Sequence, residues 1–233
     1  MLYNPNKTIC SIDFSLNGSA IIIGNTKDNK IDYKYFSNLK SDLKNENCVS
    51  IPDGINGTEK LDNVICHFLS KINKIDLVVL ESASFNSTNS STDFQGGYHI
   101  IRYLCRRLGI QCLEVSPISN KLFFTDNARA TKEHMLAKAL QKYLSQVDFL
   151  KISTKHKYDV SDALSLYELG YVYLRCHKSL NNKSEIKSSD IKYYDTLPLH
   201  QKQVVANLYG REDLVKEIKK QRDKLKKLDK DKI

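Results

Sequence analysis

Ile75-Asp76-Leu77-Val78-Val79-Leu80-Glu81 is a nearly unbroken apolar run that stops on a carboxylate. Such a run suits a central strand covered on both faces, since a strand with one wet face would alternate polar and apolar residues. Ligand sites in parallel α/β sheets gather at the carboxyl ends of strands, so Glu81 stands where chemistry is usually done. Before it, Leu61, Val64, Ile65, Phe68, Leu69 and Ile72 recur at helical spacing behind Thr58, a residue suited to capping a helix.

Further upstream, Lys7 to Ser15 alternates. Cys10, Ile12 and Phe14 point one way, and Ile9, Ser11, Asp13 and Ser15 the other, so Asp13 projects from the less apolar face near the end of a strand. Leu16-Asn17-Gly18 turns into a second strand, Ser19 to Gly24, and a third runs from Ile31 to Phe36. These three form an antiparallel meander. Residues 37–57, rich in Asn, Ser, Lys, Asp and Gly, read as a loop.

Downstream of Glu81, a Ser/Asn loop from Ser82 to Ser91 holds Phe85, with Phe94 just beyond. A helix is expected from about Asp93 to Leu108, and then a strand from Gln111 to Val115 closed by Pro117. Ser119 to Arg129 carries Lys121, Phe123, Phe124 and Arg129 in irregular sequence, and Thr131 opens a helix to about Leu144. The last helix begins at Asp159-Val160-Ser161-Asp162-Ala163-Leu164, with Val160, Ala163, Leu164, Tyr167, Tyr171 and Leu174 as its buried stripe. One turn sets Asp159 and Asp162 on the same side at its N-terminal end. They fit either an N-cap with its N3 partner or a pair of functional acids. His156 stands between two lysines in an apparent loop, either idle or a metal-shell or proton-handling group.

The order βββαβαβα predicts an α/β fold: a mixed five-stranded sheet with flanking helices, in which the first and fourth strands lie side by side. Residues 1–178 make the main domain. Residues 179–197 read as a linker, and residues 198–233 as a basic helical extension. Leu214, Ile218, Gln221, Leu225 and Leu228 mark a heptad seam of barely two repeats in it. Between Lys216 and Lys232 stand nine basic and four acidic residues, a large part of a net charge of +9 that points to an acidic partner, nucleic acid first and an anionic membrane second. The six scattered cysteines make no Cys-x-x-Cys pair and read as reduced thiols. No run approaches a membrane span, and no basic-then-apolar leader opens the chain, so a location in the cytoplasm, or wherever DNA replicates, is expected.

Asp13 and Glu81 would thus be neighbours across the sheet, and the last helix could bring Asp159 and Asp162 over them. Four carboxylates packed without cations repel one another and raise their own pKa values. Hard divalent ions resolve that conflict: two Mg²⁺, or Mn²⁺ in their place, about 4 Å apart suit phosphodiester hydrolysis.

Ile12-Asp13-Phe14-Ser15, Val78-Val79-Leu80-Glu81 and Asp159-Val160-Ser161-Asp162-Ala163-Leu164 resemble the three acidic motifs of RuvC-type Holliday junction resolvases, nucleases of the ribonuclease H-like superfamily. Val115-Ser116-Pro117, Lys121 and Ala130-Thr131-Lys132 resemble that family's basic segment between the last strand and the following helix. The resemblance, over residues 7–178, implies a ribonuclease H-like fold and a Mg²⁺-dependent endonuclease acting as a homodimer on four-way DNA junctions, with no membrane partner. It implies Asp13, Glu81, Asp159 and Asp162 as metal ligands and catalytic acids, and Lys121 and Lys132 on the cleaved strand, Lys132 among the catalytic set. Arg129 and Phe85 would be further DNA contacts, Phe85 one residue past the family's junction-probing aromatic. A ribonuclease H acting on hybrids, or a non-catalytic nucleic-acid-binding protein, shares the fold. Actin-like ATPases share its core as well but need Gly-rich phosphate loops, which this sequence lacks.

Overall fold

The computed structural model describes residues 6–14, 18–28, 30–51, 57–82, 92–181 and 193–230. Phe85, the turn at residues 15–17, the side chains of Thr58 and Phe94, and most of the expected linker lie outside the described residues.

Alternation along β1 (Thr8–Asp13) decides how the sheet is covered. Cys10 and Ile12, with Phe14 just past the strand, join an apolar cluster with Leu61, Val64, Phe68, Tyr98 and Ile101 from α1 (Gly57–Lys71) and α2 (Thr92–Arg107). Ile9, of the other parity, joins a larger cluster built on α5 (Thr154–Asn181). The sheet is therefore the middle layer of three, with apolar side chains on both faces.

Its strands run in the order β4-β3-β2-β1-β5-β6. Strands β2 (Ser19–Asn25) and β3 (Ile31–Ser37) complete the antiparallel meander. Strand β5 (Leu77–Glu81) pairs parallel with β1, and β6 (Gln111–Val115) parallel with β5. This mixed order is that of a ribonuclease H-like fold, with the strand ending at Glu81 beside the strand ending at Asp13 as expected. Among the described residues the sheet has six strands, not five. The loop expected at residues 37–57 contains β4 (Cys48–Ser50), parallel to β3, and a turn of 3-10 helix at Asp42–Lys44. Three residues are too few to show alternation, so backbone pairing alone reveals that strand.

The stretch expected to be irregular after Pro117 is also a helix, α3 (Pro117–Thr125). Ser116 caps it by accepting from the Ser119 amide, and Pro117 fills a first-turn position that needs no N–H. Helix α4 (Lys132–Tyr143) follows, capped by Thr131 in a reciprocal arrangement with His134.

Helix α5 lies across β1, β2 and β5 through the predicted stripe of Val160, Ala163, Leu164 and Tyr167, each at most 1% exposed. Burying each of the larger of these stabilises the fold by about 1.5–3 kcal/mol. Ser11 sits under the helix and is satisfied there, its hydroxyl donating to the Ala163 carbonyl at 2.6 Å. The helix continues through Asn181. Helices α6 (Leu199–Leu208) and α7 (Glu212–Lys230) fold back onto the same face, where Val204, Val205, Ala206 and Ile218 enter the α5 cluster. Tyr209 stacks on Tyr173 with ring centroids 4.3 Å apart, and Arg222 reaches Asp126 at 2.7 Å. The start of the heptad seam is thereby used within the chain, while Leu225 remains 51% exposed. Among the described residues no helix is long and apolar enough to cross a membrane.

Close approach of α5 to the sheet depends on Gly170, where an added Cβ would stand 2.7 Å from Val79 Cγ2 and 3.1 Å from Ile9 Cγ2. Gly170→Ala is expected to cost about 1–3 kcal/mol by overpacking. Gly96 has nothing within 4 Å of such a Cβ. Gly96→Ala should instead stabilise α2 by up to about 1 kcal/mol. Urea midpoints of the two variants, moving in opposite directions from the parent, check both.

Candidate active site

Side-chain parity sets the first two acids. Asp13 follows Ile9 and Ser11 at two-residue steps, and Glu81 follows Leu77 and Val79. Both therefore leave adjacent parallel strands on the face that α5 covers, at the carboxyl ends. Helix α5 supplies the other two. It begins at Thr154, five residues before Asp159, so the N-cap and N3 reading of Asp159 and Asp162 does not hold. The polar Thr154–Tyr158 stretch hides the first helical turns from an apolar-periodicity reading.

Asp13 and Asp162 feel the charges of the other carboxylates. Asp13 is held well above its ordinary pKa, first by burial and then by the charges of Asp162, Glu81 and Asp159. Asp162 is pushed up to about 7 by burial, with Glu81 and Asp159 adding to the effect. Glu81 is raised by burial against an opposing hydrogen bond from Asn120. Lys132, just inside the cap of α4, draws Asp13, Asp162 and Glu81 back toward ionisation, and Lys121 on α3 does so for Glu81 and Asp162. Lys132 also lies over the Tyr158 ring at 5.8 Å.

The structure thus brings together six of the residues singled out in the sequence: Asp13, Glu81, Asp159, Asp162, Lys121 and Lys132. It does not bring in Arg129, which stands exposed in a turn where its amide donates to Asn127 Oδ1; among the described residues no hydrogen bond or ion pair joins it to the acids. His156 corrects an expectation. Placed in a loop by the sequence reading, it is helical, 2% exposed, and its Nδ1 lies 2.9 Å from Asp159 Oδ2.

Asn120 escaped the sequence reading. It is buried on α3, accepts from the Ser165 hydroxyl on α5, and holds Glu81. A polar residue at a buried helical position was its signal, but that signal exists only once residues 117–125 are known to be a helix. Asp42, buried in the 3-10 turn, gave no signal at all amid polar loop neighbours.

The donors around this pocket are hard oxygens, which suit Mg²⁺ or Mn²⁺ and not a soft metal. Among the described residues no group of three or more His, Cys, Asp or Glu side chains is placed so that it could hold a metal ion. The arrangement is a cluster of carboxylates whose charge two lysines oppose.

No protein-family model matches the sequence, and no curated protein matches it. Among solved structures the chain is similar to the RuvC structure from Thermus thermophilus, at 11% identity over 68% of this chain and 92% of that one, with a TM-score of 0.46. It is similar also to the Fowlpox virus Holliday junction resolvase, at 16% identity over 70% of this chain and 97% of that one, TM-score 0.45. A third is the yeast mitochondrial Holliday junction resolvase, at 13% identity over 70% and 76%, TM-score 0.44. At such identities and TM-scores, the chemistry of the site has to be read from its own side chains.

Because Asp162 binds its proton more tightly folded than unfolded, its contribution to stability is complete below its ordinary value of 3.8 and is lost as pH rises through about 7. In chelating buffer, Asp162→Asn should therefore be more stable than the parent at pH 8 by about 1–3 kcal/mol, the advantage shrinking toward pH 4. Urea unfolding of both proteins across that range measures it. An advantage independent of pH would contradict the assignment.

Proposed function

We propose that this chain is a divalent-metal-dependent endonuclease acting on branched DNA, with four-way junctions as its first substrate. One observation carries the reading: four acids from three separate elements converge, the charges of Glu81 and Asp159 raising the proton affinity of both Asp13 and Asp162, and two lysines oppose that charge. A purely structural site would pair each acid with a base or expose it to water. An excess of negative charge gathered at the carboxyl ends of two central strands is what two hard cations would neutralise.

Asp13, Glu81, Asp159 and Asp162 would hold Mg²⁺, with Mn²⁺ as a substitute. The ions would supply activation of the attacking water and stabilisation of the leaving oxygen. The chain's own groups do the rest. Lys121 and Lys132 bind the scissile phosphate and offset the charge that builds on it. Asn120, itself fixed by Ser165, holds the Glu81 carboxyl in one orientation. The basic residues of α7 supply a surface for duplex arms, whose binding should weaken steeply with salt. Two copies acting as a homodimer would cut a four-way junction symmetrically.

Cleavage of a four-way junction, a flap, an RNA–DNA hybrid and plain duplex, compared in Mg²⁺, tests the reading. Junction cleavage is expected, with Asp13→Asn slowing it on the order of a thousandfold and Lys132→Ala about a hundredfold. Cleavage of the hybrid without the junction would make the protein a ribonuclease H. Binding without cleavage of any substrate would make it a non-catalytic nucleic-acid-binding protein.

A further inference from the structure

Behind Asp159 lies a second set of buried polar groups that the reaction above does not use. His156 Nδ1 stands 2.9 Å from Asp159 Oδ2. A carboxylate accepts, so the ring N–H donates. On the other side of the ring, Nε2 faces Asp42 Oδ2 at 3.8 Å. Asp42 is only 1% exposed and is itself fixed, accepting from the Ser37 hydroxyl at 2.8 Å, the Ser153 hydroxyl at 2.9 Å and the Ser153 amide at 3.0 Å. The Tyr35 ring lies 5.6 Å from the imidazole. Gly18 closes the pair from above: a Cβ there would come within 2.3 Å of Asp159 Oδ2 and 3.1 Å of His156 Cε1.

Asp42 and Ser153 would by themselves tie the 3-10 turn to the start of α5. His156 adds something that such a tie does not need, a donor whose hydrogen-bond target is the carboxylate of the acidic pocket. With Oδ2 held, Asp159 no longer has to give up rotamer freedom when a cation arrives.

We infer that His156, backed by Asp42 and roofed by Gly18, is a positioning residue that fixes the Asp159 carboxylate in advance for a divalent cation. This rests on the metal-dependent reading above and adds to it a supporting shell drawn from β3, the 3-10 turn and the β1–β2 connection. Outer partners of this kind orient the ligand and raise metal affinity.

Mn²⁺ titrated into the full chain, with the free ion followed by electron paramagnetic resonance, tests it, alongside junction cleavage as a function of Mn²⁺ concentration. His156→Ala should weaken Mn²⁺ binding by about 10- to 100-fold, with the cleavage rate recovering at high Mn²⁺. His156→Asn, whose amide N–H can take the place of Nδ1–H, should restore most of the affinity. A merely structural histidine would show neither that recovery nor that rescue. Gly18→Ala keeps every polar group but displaces Asp159 Oδ2, so it should weaken binding as well, and it decides the matter if His156→Ala does not fold. Parent-like Mn²⁺ affinity in folded His156→Ala, or in Gly18→Ala, overturns the inference alone. A parent chain that binds no Mn²⁺ overturns the metal-dependent reading, and this one with it.

Discussion

Two neighbouring parallel strands end on acids that share a face with Ile9, Leu77 and Val79, and that face lies beneath a helix. Everything else about the site follows from this constraint. Side chains alternate along a strand, so Asp13 and Glu81 cannot turn outward without turning those apolar residues out as well. The carboxyls are drawn from water by the packing that stabilises the fold, and Asp159 and Asp162 come down on them with α5. Burial is the first cause of the raised proton affinity of Asp13, Glu81 and Asp162, and mutual repulsion adds to it for Asp13 and Asp162.

The lysines that answer this charge are placed by capping. Ser116 and Pro117 start α3 and Thr131 starts α4, which sets Lys121 at the middle of the first helix and Lys132 at the start of the second, both acting on the acids. Asn120 and Ser165 join α3 to α5 across the pocket. From the far side Arg222 on α7 binds Asp126, the left-handed residue that ends α3. The C-terminal helices thus brace the element that carries Lys121, besides presenting basic residues of their own.

Much of this was legible in the sequence, because long periodic segments and strand-end acids speak for themselves. The apolar run to Glu81, the alternation to Asp13 and the stripe after Asp159 gave the sheet neighbours and the four acids. What stayed hidden was short or lacked periodicity. Three residues of β4 cannot show a period, and α3 mixes Lys121 and Asn120 among its apolar residues. The first turns of α5 are so polar that His156, flanked by Lys155 and Lys157, read as a loop residue. Its burial depends on Asp42, more than a hundred residues away in sequence, and a local pattern carries no information about such a partner.

The central claim is that the pocket formed by Asp13, Glu81, Asp159 and Asp162 exists to hold divalent cations. Crystals of the chain grown with Mn²⁺ and measured at a wavelength where manganese scatters anomalously would test it most directly. The account predicts anomalous peaks within ligand distance of Asp13 and at least two of the other three carboxylates. Mn²⁺ bound only elsewhere on the protein, with the four carboxylates left as they are, would contradict it.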